Sequence, residues 1–262
     1  VPVDAVQGAM VDGTWSTPSA GGKLVGPDGK DHAWTSATAN KDGWFESDSL
    51  ESGYAYTSYT APHRQIMLVD AQGDSVRYLN GTPRTGDVYS FGYVKTPMVM
   101  EAGRNDLLFV CLRGRFRVAV KEPTKPVFLD ASDATLPDAI SVDQPYRGAL
   151  LLVNASESPL TTAGIRVKDH RAKSGWSWFP VRPVAPLSIT KVAFGFALKD
   201  LKENTVHLEL LPDGKTVADS LDLKVDVKAV DQTHKNTFLS QIDGSVQYYG
   251  VNPSSKPSMS NS

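Results

Sequence analysis

Two indoles at Trp176 and Trp178, followed by Phe179, are the first feature with chemical potential. Residues two apart share a face of an extended segment. Exposed there, the pair would form a flat apolar platform for sugar rings or an apolar partner. The competing reading is packing in a core or between domains, because tryptophan buries a large area. The second feature runs from Tyr78 through Asn80-Gly81, Arg84, Asp87 and Tyr89 to Tyr93. Arg84 and Asp87 stand three apart in a loop, close enough to pair above packed aromatics. The segment reads either as structural bracing or as a ligand pocket built on Arg84, Asp87 and Tyr89.

The common catalytic signatures are missing. There is no Gly-x-Ser-x-Gly elbow; Asp243-Gly244-Ser245-Val246-Gln247 lacks the second glycine and lies in a hairpin pattern. The histidines His32, His63, His170, His207 and His234 are scattered without metal-ligand spacing. Gly81, Gly86 and Gly92 are too far apart to cradle a phosphate, and no helical pattern follows them. Asp42, Glu46, Asp48 and Glu51 cluster in a turn-rich stretch. They read as a solvated loop, with a structural calcium site as the alternative. No other cofactor is expected. The lone Cys111 sits in the apolar run Leu107 to Leu112 and reads as a small buried hydrophobe.

The whole-chain numbers narrow the partners. A net charge of -2 over 262 residues gives no reason to expect nucleic acid or an anionic membrane. No apolar run approaches the ~20 residues of a membrane-spanning helix. The start, Val1-Pro2-Val3-Asp4, resembles a mature or trimmed end.

The elements that must position these residues are strands. Asn80-Gly81 is the strongest turn signal, because a two-residue type I′ hairpin needs positive φ at both central positions. Gln65 to Asp70, Ser75 to Leu79, Thr96 to Met100 and Asp106 to Leu112 read as strands, with Pro97 suiting an edge. In Phe116-Arg-Val-Ala-Val120 the residues Phe116, Val118 and Val120 share one face. The first 40 residues are turn-rich and offer very short strands at most, and nothing has helical periodicity. Lys121 to Pro126, with two prolines, marks a boundary. Beyond it, Ala149 to Asn154, Ile165 to Lys168, Ser188 to Phe196, Thr205 to Leu211 and Val217 to Val227 alternate as strands. Leu221, Leu223, Val225 and Val227 oppose Asp222, Lys224, Asp226 and Lys228, the pattern of a sheet with one wet face. Asp243-Gly244 joins a last pair, Phe238 to Ile242 and Ser245 to Val251, and a Ser/Pro/Asn tail follows. The expectation is all-β: one sandwich over residues 1–122, a second, immunoglobulin-like, over 127–230, and a hairpin and linker over 231–262.

Two resemblances extend this reading. Val76 to Asp87, Tyr89 to Tyr93, Glu101 to Asn105 and Leu107 to Val110 resemble the galactose-binding-like jelly roll, in which an Asn-Gly hairpin and a later Gly-x-Asn turn bracket the last strands. Thr237 to Tyr249 resembles the first strands of secreted α/β hydrolases of the prolyl-oligopeptidase-like group, where two β modules precede the catalytic domain. The resemblance implies a non-catalytic N-terminal region of a secreted or periplasmic serine hydrolase. Its partner would be a C-terminal hydrolase domain of the same polypeptide, with a glycan or other polymer as substrate. No catalytic residue of that family falls within these 262 positions. The alternatives are a free-standing carbohydrate-binding β-sandwich protein and a self-contained enzyme with an unrecognised site.

Overall fold

The computed structural model describes residues 4–26 and 28–228. The chain opens with a helix, α1 (Ala5–Asp12), followed by β1 (Lys23–Val25), β2 (Asp31–Ala33), β3 (Phe45–Glu46), β4 (Gly53–Ala61), β5 (Gln65–Gln72), β6 (Asp74–Leu79), β7 (Thr82–Thr85), β8 (Lys95–Met100), β9 (Gly103–Cys111) and β10 (Arg115–Lys121). Then come β11 (Val127–Thr135), β12 (Tyr146–Asn154), β13 (Gly164–Lys168), β14 (Trp176–Pro180), β15 (Ser188–Phe196), β16 (Thr205–Leu211) and β17 (Asp219–Lys224). The expected all-β architecture holds, with α1 as a correction at the start. Asp4 caps this short helix by accepting from the Val6 and Gln7 amides at 2.9 and 3.1 Å. The hairpin expected over residues 238–251 lies outside the described residues.

The first sandwich stacks the sheet β4-β9-β6-β7 on the sheet β3-β10-β5-β8, with antiparallel pairing throughout. Met67, Val69, Met98, Met100, Leu107, Phe109 and Phe116 fill the space between. Asn80 and Gly81 turn β6 into β7 with φ of 47° and 84°, as a type I′ turn demands. The Asn80-Gly81 turn is tied to the start of β9. The Asn80 side-chain amide donates to Asn105 Oδ1 at 2.9 Å, and Asn105 also donates to the carbonyls of Glu101 and Gly103. On the outer face of β6 and β9, Tyr78 and Leu108 are covered by Val6 and Met10 of α1, with Trp15 and Trp34 alongside. A helix of eight residues is marginal by itself; this docking holds it.

The second sandwich sets β11-β12-β15 against β14-β13-β16-β17. Leu150, Leu152, Ile165, Val167, Phe194, Phe196, Leu208 and Leu210 form its core. Pro212-Asp213-Gly214 joins β16 to β17, with Gly214 at φ 73°. Leu223 and Val225 are buried while Asp222 and Lys224 are exposed, as alternation requires.

The two sandwiches meet through a dry patch. Leu68 from β5 packs with Val153 and Ala155, flanked by Ile66, Phe128 and Ile189. Arg64 closes one side with two bonds to Glu157, at 2.7 and 2.5 Å, and Lys95 reaches Asp130 at 2.7 Å.

Candidate functional site

Strand β14 is the edge of its sheet, and alternation splits the aromatic trio. Trp176 and Trp178 face solvent, whereas Phe179 turns back and packs on the core. Trp178 is 46% exposed. Its six-membered ring lies against Gly164 of the neighbouring strand, where an added Cβ would fall 2.0 Å from Cζ2. Only glycine lets the indole lie this close to the backbone. Trp176 is half-buried; the Arg166 guanidinium sits 4.5 Å from its ring and the His207 ring 5.8 Å away. Arg166 is also ion-paired to Glu209, and His207 Nδ1 meets Asp222 at 2.6 Å. The face therefore presents one open indole, one indole engaged by a cation, and a row of charged neighbours. That set suits stacking on a sugar ring and hydrogen bonding to hydroxyls.

Behind this strand, Asp169 fixes the β13–β14 connection. It is buried, and it accepts from the Arg171 backbone and Nε at 3.0 and 3.1 Å and from Ser177 Oγ at 2.8 Å. Burial alone would raise its pKa, but the Arg171 and Ser177 hydrogen bonds outweigh this and hold it at about 2. A depressed carboxylate pKa contributes stability that is complete above the unfolded value near 4 and is lost as pH falls through the folded value. Asp169→Asn is expected to flatten the stability profile between pH 4 and about pH 2, in urea titrations at several pH values; a profile unchanged in that window would contradict the assignment.

The Arg84 region differs from the sequence expectation. Arg84 lies on β7 as register partner of Arg77 and donates to the carbonyl of its neighbour Pro83 at 3.3 Å. It does not reach Asp87. Asp87 is buried, and its carboxylate accepts from the Phe91 and Gly92 amides at 3.2 and 2.6 Å. The carboxylate anchors a loop, and the aromatics do not pack beneath it: Tyr89 is 63% exposed and Phe91 62%. The ion pair of this region is Arg77 with Asp74, both fully buried. The sequence reading missed it; the spacing of three across Asp74-Ser-Val-Arg77, in a strand whose Leu79 faces the core, was the available signal.

Asp42, Glu46, Asp48 and Glu51 are all exposed, and among the described residues no three metal-ligating side chains gather. Cys111 is fully buried, and burial pushes its thiol up to about 12. It is expected to resist alkylation at pH 8 in the folded protein and to react stoichiometrically once unfolded; rapid labelling of the native protein in a mass-spectrometric time course would contradict this. Among the described residues no helix is long and apolar enough to cross a membrane.

No family model and no curated protein matches the chain. Among solved structures it is similar to a GH2 beta-galacturonidase from Eisenbergiella tayi bound to galacturonate, with 11% identity, a TM-score of 0.35, and coverage of 78% of this chain and 40% of that one. It is similar also to a glycosyl hydrolase family 2 member from Bacteroides cellulosilyticus, with 12% identity, a TM-score of 0.30, and coverage of 66% and 28%. A Bacteroides uniformis beta-glucuronidase gives 13% identity, a TM-score of 0.30, and coverage of 64% and 25%. The chain thus spans less than half the length of each of these structures.

Proposed function

We propose that this chain is a non-catalytic accessory region of a secreted or periplasmic hydrolase, holding a catalytic domain that follows it and shaping access to that domain. In this reading the first sandwich is a galactose-binding-like jelly roll, the second is immunoglobulin-like, and the α/β serine hydrolase of the sequence resemblance lies downstream. The observation that supports it is the seam between the sandwiches. Apolar side chains fix one module on the other, with the two-bonded Arg64–Glu157 pair at the rim. A positioning arm needs a set angle between its parts, which a flexible linker would not provide. The test is the reading frame beyond Ser262: continuation into a His-Gly segment and a Gly-x-Ser-x-Gly elbow is expected, and a stop codon directly after Ser262 would sink the proposal.

The Trp178 face favours a second reading, a free-standing carbohydrate-binding protein. The open indole over Gly164 is the specific feature behind it. On that reading Trp178→Ala weakens glycan binding at least about tenfold, the scale of one lost aromatic stack, while Trp176→Ala has the smaller effect because Arg166 already occupies that ring. Glycan-array binding with both variants measures this; an array silent for the unaltered protein removes the reading.

A further inference from the structure

One end of the sheet β3-β10-β5-β8 carries a feature that neither reading uses. Phe116, Val118 and Val120 of β10 face the core, so Arg115 and Arg117 face outward, and Arg113 stands in the turn before them. Among the described residues, arginine ion pairs form at Arg64, Arg77, Arg104, Arg166 and Arg171, and none forms at these three. Each lies on an aromatic ring instead. Arg113 is 4.7 Å from the Tyr89 centroid, and Arg115 and Arg117 are 3.8 and 4.8 Å from that of Trp44. An arginine whose guanidinium carbon lies over a ring can still donate its N–H groups to an anion. The acidic residues on the adjoining strands are Glu46, register partner of Arg115, and Asp70, which Lys121 already engages at 3.0 Å.

Beside this row the loop after β7 holds out Tyr89, Phe91 and Tyr93. Their rings stack at 5.8 and 5.5 Å between centroids. The strip is anchored by the buried Asp87 described above. Gly92, at φ 76°, lies so close to Gln72 that a Cβ would meet its Nε2 at 2.7 Å. Gln72 is the register partner of Arg117, which makes the aromatic strip and the arginine row one continuous surface. Exposed large aromatics grouped in this way mark a binding surface rather than ordinary exposure.

We propose that this surface binds an acidic polysaccharide, with its anionic groups on the arginine edges and its sugar rings against the aromatic strip. A single-stranded nucleic acid fits less well. The chain is net acidic, whereas nucleic-acid-binding domains are as a rule strongly basic. The proposal stands whether or not a catalytic domain follows.

The test uses the whole 262-residue protein in affinity electrophoresis and titration calorimetry, with polygalacturonate, a neutral linear galactan and oligo(dT) as probes. Polygalacturonate is expected to bind, more weakly as salt rises, and the galactan is not. The double variant Arg115→Gln/Arg117→Gln is expected to lose about tenfold or more in affinity, the scale of charge-assisted contacts. Tyr89→Ser/Phe91→Ser should weaken binding with an unchanged circular dichroism spectrum. Arg113→Gln serves if the arginine double variant does not fold, and Arg147→Gln, an exposed arginine on β12 of the other sandwich, should bind normally. Failure of polygalacturonate to bind, equal binding of the neutral galactan, binding of oligo(dT) as tightly, or indifference to the variants would each overturn the proposal.

Discussion

Arg77→Met is expected to remove about 3–5 kcal/mol from the first sandwich, the cost of breaking a buried ion pair from one side. Arg77 Nε and Nη2 hold the Asp74 carboxylate at 2.8 and 2.9 Å. The remaining donors serve the carbonyls of Val69, Ala71 and Val94, at 2.8, 3.0 and 3.0 Å. One side chain thereby ties β5, β6 and the approach to β8. Methionine fills much of the volume but leaves a buried carboxylate and three carbonyls without these donors. The double variant Asp74→Leu/Arg77→Met removes the orphaned charge and is expected to be milder than the single change. Urea unfolding monitored by tryptophan fluorescence measures both. A single variant within about 1 kcal/mol of the unaltered protein, at equal m-value, would show that the network stabilises little.

That network explains where sequence reading stopped. Turn chemistry was legible because it is local: Asn80-Gly81 specifies its geometry within two residues. Alternation was legible wherever one face is wet, as in β17, and it put Trp176 and Trp178 on one face of an extended segment; that this strand is a sheet edge came only with the structure. It could not say what a distant strand places over a residue. Arg77 shows only its spacing from Asp74 until β5 supplies its carbonyls. The Arg84–Asp87 pair looked sound by spacing, yet Asp87 satisfies its carboxylate on backbone amides five residues ahead or fewer. Helix α1 escaped because its eight residues include Gly8 and bury only one i, i+4 pair, Val6 and Met10, too short a run to establish a period; its stability comes from Tyr78 and Leu108, far along the chain. The outward arginines of β10 were implied once Phe116, Val118 and Val120 were assigned to one face, but their aromatic partners Trp44 and Tyr89 come from other segments.

The seam between the sandwiches did leave a signature, and it leads to the second large effect. Gln65-Ile-Met-Leu-Val69 and Leu150 to Val153 are apolar at every position after the first glutamine, not at alternate ones. A strand apolar on both faces is covered on both. Met67 and Val69 face the inner core of the first sandwich, whereas Ile66 and Leu68 face the second. Leu68→Asp puts a carboxylate into that dry patch. The seam can open to water, so the expected result is loss of coupling between the sandwiches rather than loss of either fold. The coupling lost should be about 2–3 kcal/mol, the value of burying one leucine. Calorimetry should then resolve two unfolding transitions where the unaltered protein gives one, and small-angle scattering should show a broader distribution of interdomain distances. Arg64→Ala, which removes only the exposed pairs at the rim, should leave a single transition, because such pairs contribute about 1 kcal/mol or less. If Leu68→Asp keeps one transition and the same scattering profile, the seam is not what sets the angle between the sandwiches, and the positioning role proposed for this chain loses its physical basis.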